Sequence, residues 1–443
     1  MAFLARFTGR VTGSLPEELV RAHDWRRRLA SLVGALVIGL LAIGFAWAGD
    51  FAQRLFGGIA AQHRYWPLVL TPAMFVLIAA LTRWSAPEAR GSGIPQVIAA
   101  ARDPEGSASK GLLSIRTSVV KLVLSIGALF GGASVGREGP TVQLGAAVMV
   151  QIHKLFQVRV TPGVLIAGGA AGVAAAFNTP LAGIAFAIEE LAVAYEQRVA
   201  VLVMGAVMVA GLTSQGIAGE YIYFGHVGRG LPLTTVLLAA PLAGIGCGLA
   251  GGLFSRMLLS LRGPGGRWSS LLGRQPLVTA LICGIIVAVL GVATGSTWGT
   301  GYEPTRALLA GAEGGYWFGP AKFLASLATG ASGIPGGIFA PSLAIGAGLG
   351  NLLTTLFPPE QAGAIVLLGM AGFFTGVVRA PLTAVIILSE TTGSTAAILP
   401  LFATCLIADF AGALVCRKRL YHALAGDFVP PELPPEPEEN RYL

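Results

Sequence analysis

An acid at position 138 is framed by glycines and a proline, Gly136-Arg137-Glu138-Gly139-Pro140, and a second acidic pair, Glu189-Glu190, lies further along. In a segment that avoids water a carboxylate has two uses. Ionised, it is a fixed anion that competes for any site built for one; protonated, it is a neutral proton carrier. Ionisable residues inside membrane segments mark functional pathways by default. Adjacent helical residues face directions about 100° apart, so Glu189 and Glu190 cannot both line one path. The bland alternatives are a surface Arg137/Glu138 ion pair in a loop and, for Glu190, a solvated acid at a cytoplasmic helix end.

Five prolines share one local design, with glycines or small polar residues before them and an apolar run after. Pro95, Pro140, Pro180, Pro341 and Pro381 are each expected to begin a helix, where the N–H that proline lacks would be unpaired anyway. A helix start at membrane depth presents free N–H groups and the positive end of a dipole, which together bind an anion. Non-helical backbone is tolerated there only when buried in protein or lining an aqueous cavity. A different chemistry is carried by Gly330-Ala331-Ser332-Gly333. It matches the Gly-x-Ser-Gly of rhomboid-type intramembrane serine proteases, which need a histidine base on a neighbouring span. His422 is the only candidate downstream.

The elements that must hold these residues are membrane helices. Of 443 residues, 54% are hydrophobic, only 12% are charged and 62 are glycine, with a mean hydropathy of +0.72; a soluble protein is neither so apolar nor so charge-poor. Leu29 to Gly49 carries no charge and is long enough to cross a hydrocarbon core of about 30 Å. Some later apolar runs, such as Pro180 to Ile188, are too short to cross alone. The first run begins too late and runs too long to be a signal peptide.

The net charge of +8 does not call for nucleic acid, because the basic residues stand at the ends of apolar runs. Arg6, Arg10, Arg21 and Arg26 to Arg28 before the first span, and Arg417 to Arg419 after the last, place both termini in the cytoplasm. Arg256, Arg262, Arg267 and Arg274 mark a basic mid-chain linker. Cys247, Cys283, Cys405 and Cys416 lack paired or metal-binding spacing and read as buried small hydrophobes. With five scattered histidines, neither a metal nor a cofactor is expected.

The chain also repeats itself. Gly136-x-Glu138-x-Pro140 with Leu144-Gly145-Ala146 is echoed 201 residues later by Gly337-x-Phe339-x-Pro341 with Ile345-Gly346-Ala347, and Pro180-Leu181 with Glu189 by Pro381-Leu382 with Glu390. Gly169-x-x-Gly172 matches Gly369-x-x-Gly372 at 200, a slip of one. Glu138 thus faces Phe339 in the repeat, an acid where the other half has an aromatic. Glu189 has an acidic mate, which suggests a structural task shared by both halves, while Glu190 falls opposite Thr391. The expected organisation is a cytoplasmic N-terminal segment 1–28, a first membrane repeat 29–218, a connecting segment 219–232, a second repeat 233–422 and a disordered cytoplasmic tail 423–443. An even number of crossings allows an odd number per half and hence inverted halves, the architecture that places an ion site between discontinuous helices at mid-membrane. A duplicated bundle with parallel halves is the alternative.

Gly91-Ser92-Gly93-Ile94-Pro95, Gly136-Arg137-Glu138-Gly139-Pro140 and Gly337-Ile338-Phe339-Ala340-Pro341 resemble, in order, the three anion-site signatures of the CLC family of chloride channels and chloride/proton antiporters. With Ala176 to Gly183 and Leu420-Tyr421 the likeness covers nearly the whole chain, and it is to the bacterial type without CBS domains. It implies an all-α polytopic membrane protein of two inverted-topology repeats with discontinuous and re-entrant helices. A homodimer with one pathway per subunit, in the bacterial inner membrane, is also implied.

The resemblance further implies a secondary transporter, not an enzyme, exchanging chloride for protons. Chloride would be held by the Ser92 and Tyr421 hydroxyls and the amides of Ile338 and Phe339, with Glu138 as gate and Glu190 as internal proton-transfer acid. Serine at position 92 resembles the chloride-preferring members; nitrate-preferring relatives carry proline there. Taken alone, Ser92 would read as a helix cap and Tyr421 as an interfacial anchor. A passive gated channel of the same fold is the alternative function. One departure bears on coupling: some well-coupled exchangers carry a further carboxylate where this chain has Gln96, Val97 and Ile98. Lys121 and Asp409 lie in apolar runs, where raising the local potential, snorkelling and pairing all remain open.

Overall fold

The computed structural model describes residues 22–104, 106–191, 197–219, 222–227, 230–263 and 265–429. The basic stretch up to Arg21, the tail from Pro430 and parts of the connecting segment lie outside the described residues; the first helix already begins at Ala22, inside the segment expected to end at 28, and helical turns run through Ala425 to Phe428, inside the tail expected to be disordered from 423. The first half holds α1 (Ala22–Gln62), α2 (Pro67–Ser85), α3 (Ile94–Arg102), α4 (Ser107–Leu112), α5 (Ile115–Phe130), α6 (Glu138–Leu155), α7 (Pro162–Phe177), α8 (Pro180–Phe186) and α9 (Gln197–Ala218). The second holds α10 (Leu233–Arg262), α11 (Ser269–Arg274), α12 (Pro276–Thr294), α13 (Tyr302–Leu309), α14 (Phe318–Ser332), α15 (Phe339–Leu353), α16 (Ala362–Val378), α17 (Pro381–Thr392), α18 (Ile398–Val415) and α19 (Leu420–Ala425). Among the described residues eight segments are long and apolar enough to cross a membrane. At 1.5 Å per residue α3 spans only about 13 Å, and α8 with the π-helical turn that continues it to Leu191 about 18 Å, so neither crosses the membrane alone.

Two of the five prolines stand where expected, Pro180 and Pro381 opening their helices, while Pro95 is second in α3. Pro140 and Pro341 are third, because α6 and α15 start two residues earlier, at Glu138 and Phe339. The shift costs no hydrogen bond, since none of the first four N–H groups of a helix has a partner within it. It also makes Glu138 itself the first helical residue.

The repeat extends further than its sequence signal. α2 and α12 are both 19 residues long and both begin with proline, at an offset of 209; the first half carries extra residues around α4, after which the offset settles at 201. The apparent slip at the glycines is corrected by their contacts. A Cβ on Gly145 would stand 2.2 Å from Gly168 O, and one on Gly346 would stand 2.7 Å from Gly369 O, so Gly168 and Gly369 are the mates and 201 is kept. Close backbone approach of this kind is the use of glycine at membrane helix interfaces. α7 and α16 then end on a second pair of mates, Asn178 and Arg379, both left-handed with φ of 59° and 65°. Asparagine tolerates that region; arginine rarely does.

Equivalent residues of the two halves meet at the centre. Gly136 N–H donates to Gly337 O at 2.7 Å and Gly337 N–H to Gly136 O at 2.8 Å, an antiparallel bridge between repeat mates. Such a pair has a local twofold between its members, so the halves run in opposite senses and the parallel alternative is set aside. The Glu189 carboxylate accepts from Leu382 N–H at 2.9 Å and from Thr383 N–H at 2.6 Å and Oγ1 at 2.7 Å. Reciprocally, Glu390 accepts from Leu181 N–H at 3.1 Å and Ala182 N–H at 2.8 Å. Each acid caps the helix start of the opposite half, which is the shared structural task expected of them. Hydrogen bonds to a charged acceptor contribute about 1.5–3 kcal/mol. Glu189→Ala is therefore expected to lower the thermal midpoint of the detergent-solubilised protein more than Glu390→Ala, because it removes three bonds against two. Equal midpoints for both variants and the parent would refute the caps.

Candidate functional site

The three glycine-proline motifs are laced together. Gly336 N–H donates to Gly91 O at 3.1 Å, which brings the first motif beside the third, and the Gly136/Gly337 bridge joins the second to the third. Gly93 has φ of 116°, and its ideal Cβ would lie 2.4 Å from Gly139 O. Only a residue without a side chain meets both demands.

Glu138 is 1% exposed. Its Oε2 accepts from Ala340 N–H at 3.4 Å, so the carboxylate of one half is seated at the first turn of α15 in the other. Its Oε1 has no hydrogen-bond partner. The carboxylate folds back over Gly136, where a Cβ would stand 2.2 Å from Oε2. Arg137 turns away from it, donating to Asp50 Oδ1 at 2.8 Å and Ala46 O at 3.1 Å, with its guanidinium over the Tyr223 ring. Both side chains are buried, so the surface ion pair is excluded.

Ser92 and Tyr421 are brought together with Ile338 in the lining of one cavity of about 280 Å3. Tyr421 is 0% exposed; its hydroxyl interacts with Ser92, but neither oxygen makes a hydrogen bond of good geometry. Two buried hydroxyls turned into one cavity are donors in want of an acceptor. Tyr421 also lies within electrostatic reach of Glu190 and Glu138. Glu138 and Phe339 do not line that cavity. The Phe339 ring packs instead on Phe374, Phe177 and Phe186 at centroid distances of 4.4, 5.2 and 6.2 Å. At the mouth of the cavity Arg90 stands 3.9 Å from Asp427 and over the Phe428 ring, and Arg262 lies against Gly333. Burial pushes the Asp427 carboxyl up from its ordinary range, against the opposite pull of Arg90 and Arg262.

Glu190 is 0% exposed, so it is not a solvated acid. The chain there forms a π-helical turn, Ala187–Leu191, whereas α17 stays α-helical through the equivalent stretch. Such turns are rare and occur frequently at functional sites. His422, which follows Tyr421, places Nε2 3.0 Å from Glu190 O and 3.8 Å from Glu190 Oε1. The sequence had offered His422 only as a protease base. Ser332 does not meet it: its Oγ donates to Thr329 O at 2.6 Å, and with the ring engaged on Glu190 the protease reading has no base. Gln96, fully buried, donates to Arg90 O at 2.6 Å and Glu88 O at 3.1 Å and ties down a turn. Asp409 pairs with Arg379 at 2.5 Å, which settles it among its alternatives. Lys121 is 1% exposed and so does not snorkel to water. Its repeat mate Lys322 donates to Thr297 O and Gly299 O at 2.9 and 2.7 Å.

Residues 74–412 match the family described as voltage gated chloride channel. The chain belongs to that family. As a CLC protein it is 33% identical over 431 residues to the H(+)/Cl(-) exchange transporter ClcA of Yersinia pestis bv. Antiqua (strain Angola), covering 89% of this chain and 86% of the relative. It is 31% identical over 421 residues to the transporter of the same name from Citrobacter koseri, with 89% and 87% covered. A slow cyanobacterial Cl-/H+ antiporter superimposes on it with a TM-score of 0.76 and 25% identity, over 91% of this chain and 97% of that one. A eukaryotic CLC transporter shares the fold at a TM-score of 0.72 and 22% identity, over 90% and 74%. The chain is an integral membrane protein of the CLC fold, all-helical and built from two inverted repeats.

Proposed function

We propose that this CLC protein is a chloride/proton antiporter, with Glu138 as a gate that competes with chloride for one position. The observation that carries the reading is the seat of the Glu138 carboxylate: buried, on the amide of Ala340 at a helix start, with one oxygen unpartnered. An ionised carboxylate there holds the place of an anion. Protonated, it loses its attraction to the helix start and yields to chloride. Ser92 and Tyr421 supply hydroxyl donors and Ile338 and Phe339 amides, a set without a full positive charge that binds a halide weakly enough to release it. Glu190, screened from water, receives the proton on its way to or from Glu138. The relatives named as exchangers support the same reading.

The protein is a secondary active transporter rather than an enzyme, working as a homodimer in the lipid of a bacterial inner membrane with both termini cytoplasmic. The two repeats occupy 29–218 and 233–422. Reconstituted into liposomes, the wild type should use an imposed chloride gradient to move protons uphill. A reversal potential that follows chloride alone at every pH gradient would establish the passive channel instead.

A further inference from the structure

We infer that His422 relays protons between water and Glu190, an inference that rests on the antiport reading and adds a residue to it. Glu190 is 0% exposed and has no direct contact with solvent, whereas the His422 side chain is 16% exposed. The imidazole therefore stands between the buried acid and water. Its Nε2 lies 3.0 Å from Glu190 O, which fixes the ring, and 3.8 Å from Oε1. That second distance is too long for a hydrogen bond but short enough to close by a small turn of the carboxylate.

Imidazole is also the side chain whose charge changes roughly between pH 5 and 8. In the inward step the Nε2–H bond of the protonated ring breaks as an O–H bond forms on Oε1. The ring is left neutral with its proton on Nδ1; it then breaks its contact with Glu190 O, turns Nε2 to water and takes a proton there from hydronium, which restores the imidazolium. The ring shares α19 with Tyr421, whose hydroxyl turns into the anion cavity, so one short helix carries both contacts.

Arg419 donates to Glu189 O at 3.1 Å beside the pair. Among the elements packed against α19, α3 carries Arg102, α10 carries Arg256 and Arg262, the turn Gly426–Phe428 carries Asp427, and α16 carries no charge. Arginines dominate this set and do not titrate in the working range; of its titratable groups Asp427 faces Arg90, and His422 is the one that meets Glu190.

The test compares His422→Ala and His422→Gln with wild type in liposomes, following chloride and proton flux from pH 5.5 to 8. Glutamine keeps a donor for the Glu190 carbonyl but carries no titratable group. Both variants are expected to slow coupled proton flux several-fold, most at the alkaline end, and added imidazole is expected to restore it. Wild-type rates in both variants would overturn the relay, as would recovery by glutamine alone, which would reduce His422 to a structural bond. Wild-type liposomes without any chloride-driven proton movement would overturn the antiport reading itself, and are told apart because no substitution is involved.

Discussion

Glu138→Ala is expected to abolish chloride-driven proton movement, down to the level of protein-free liposomes, while chloride flux persists. The carboxylate is the only acidic side chain that the structure seats on the first turn of α15 among the described residues. Removing it leaves the helix start, the amides and both hydroxyls in place, so an anion still finds its donors. On the proposed function, what disappears is the competitor, and with it the group that carries a proton through the same position. Glu138→Gln, which keeps the shape of the protonated acid, should uncouple equally. Recording both ions with electrodes on one liposome preparation decides the matter: chloride-driven proton uptake surviving in Glu138→Ala would remove Glu138 from the coupling step.

Gly139→Ala is expected to cost chloride binding and flux together. Its methyl would lie 2.3 Å from Ser92 Oγ and 2.6 Å from Ser92 O, so the first motif must be pushed back from the second. Overpacking of this kind costs about 1–3 kcal/mol, and each 1.4 kcal/mol is tenfold in affinity. Chloride titration by calorimetry should show affinity falling roughly tenfold if that cost is taken at the binding site. Gly205→Ala is the control, since nothing lies within 4 Å of its Cβ. An unchanged titration for Gly139→Ala would mean that Ser92 does not take part in holding the anion.

The membrane character, the helix starts at prolines and the repeat from position 136 onward were legible in the sequence because each has a local signature. Glu189 and Glu390 were matched by offset alone, and the structure supplied the reason for the match, a mutual cap. The repeat before position 136 escaped notice because α2 and α12 share length and an opening proline but not an offset of 201. The π-turn at Glu190 leaves no sequence mark that periodicity detects, since one added residue per turn looks like ordinary helix over so short a stretch. His422 was visible but pointed the wrong way: a lone histidine downstream of a Gly-x-Ser-Gly run suggests a base, and only coordinates place its ring on Glu190. Whether Ser92 caps a helix or faces a cavity is likewise a question of direction, which residue type does not specify.

The fastening of the two halves has a mechanical consequence. Inverted-repeat transporters commonly work by rocking one half against the other. Here such a stroke would have to part the Gly136/Gly337 pair and pull Glu189 and Glu390 off their helix starts at once, stranding two carboxylates away from their donors. On the proposed function, in which Glu138 is the gate, the moving part is a single side chain pivoting between halves that stay fastened. Each turnover then does its work against bond rotation and the solvation of one ion, not against the elastic stress of the surrounding bilayer.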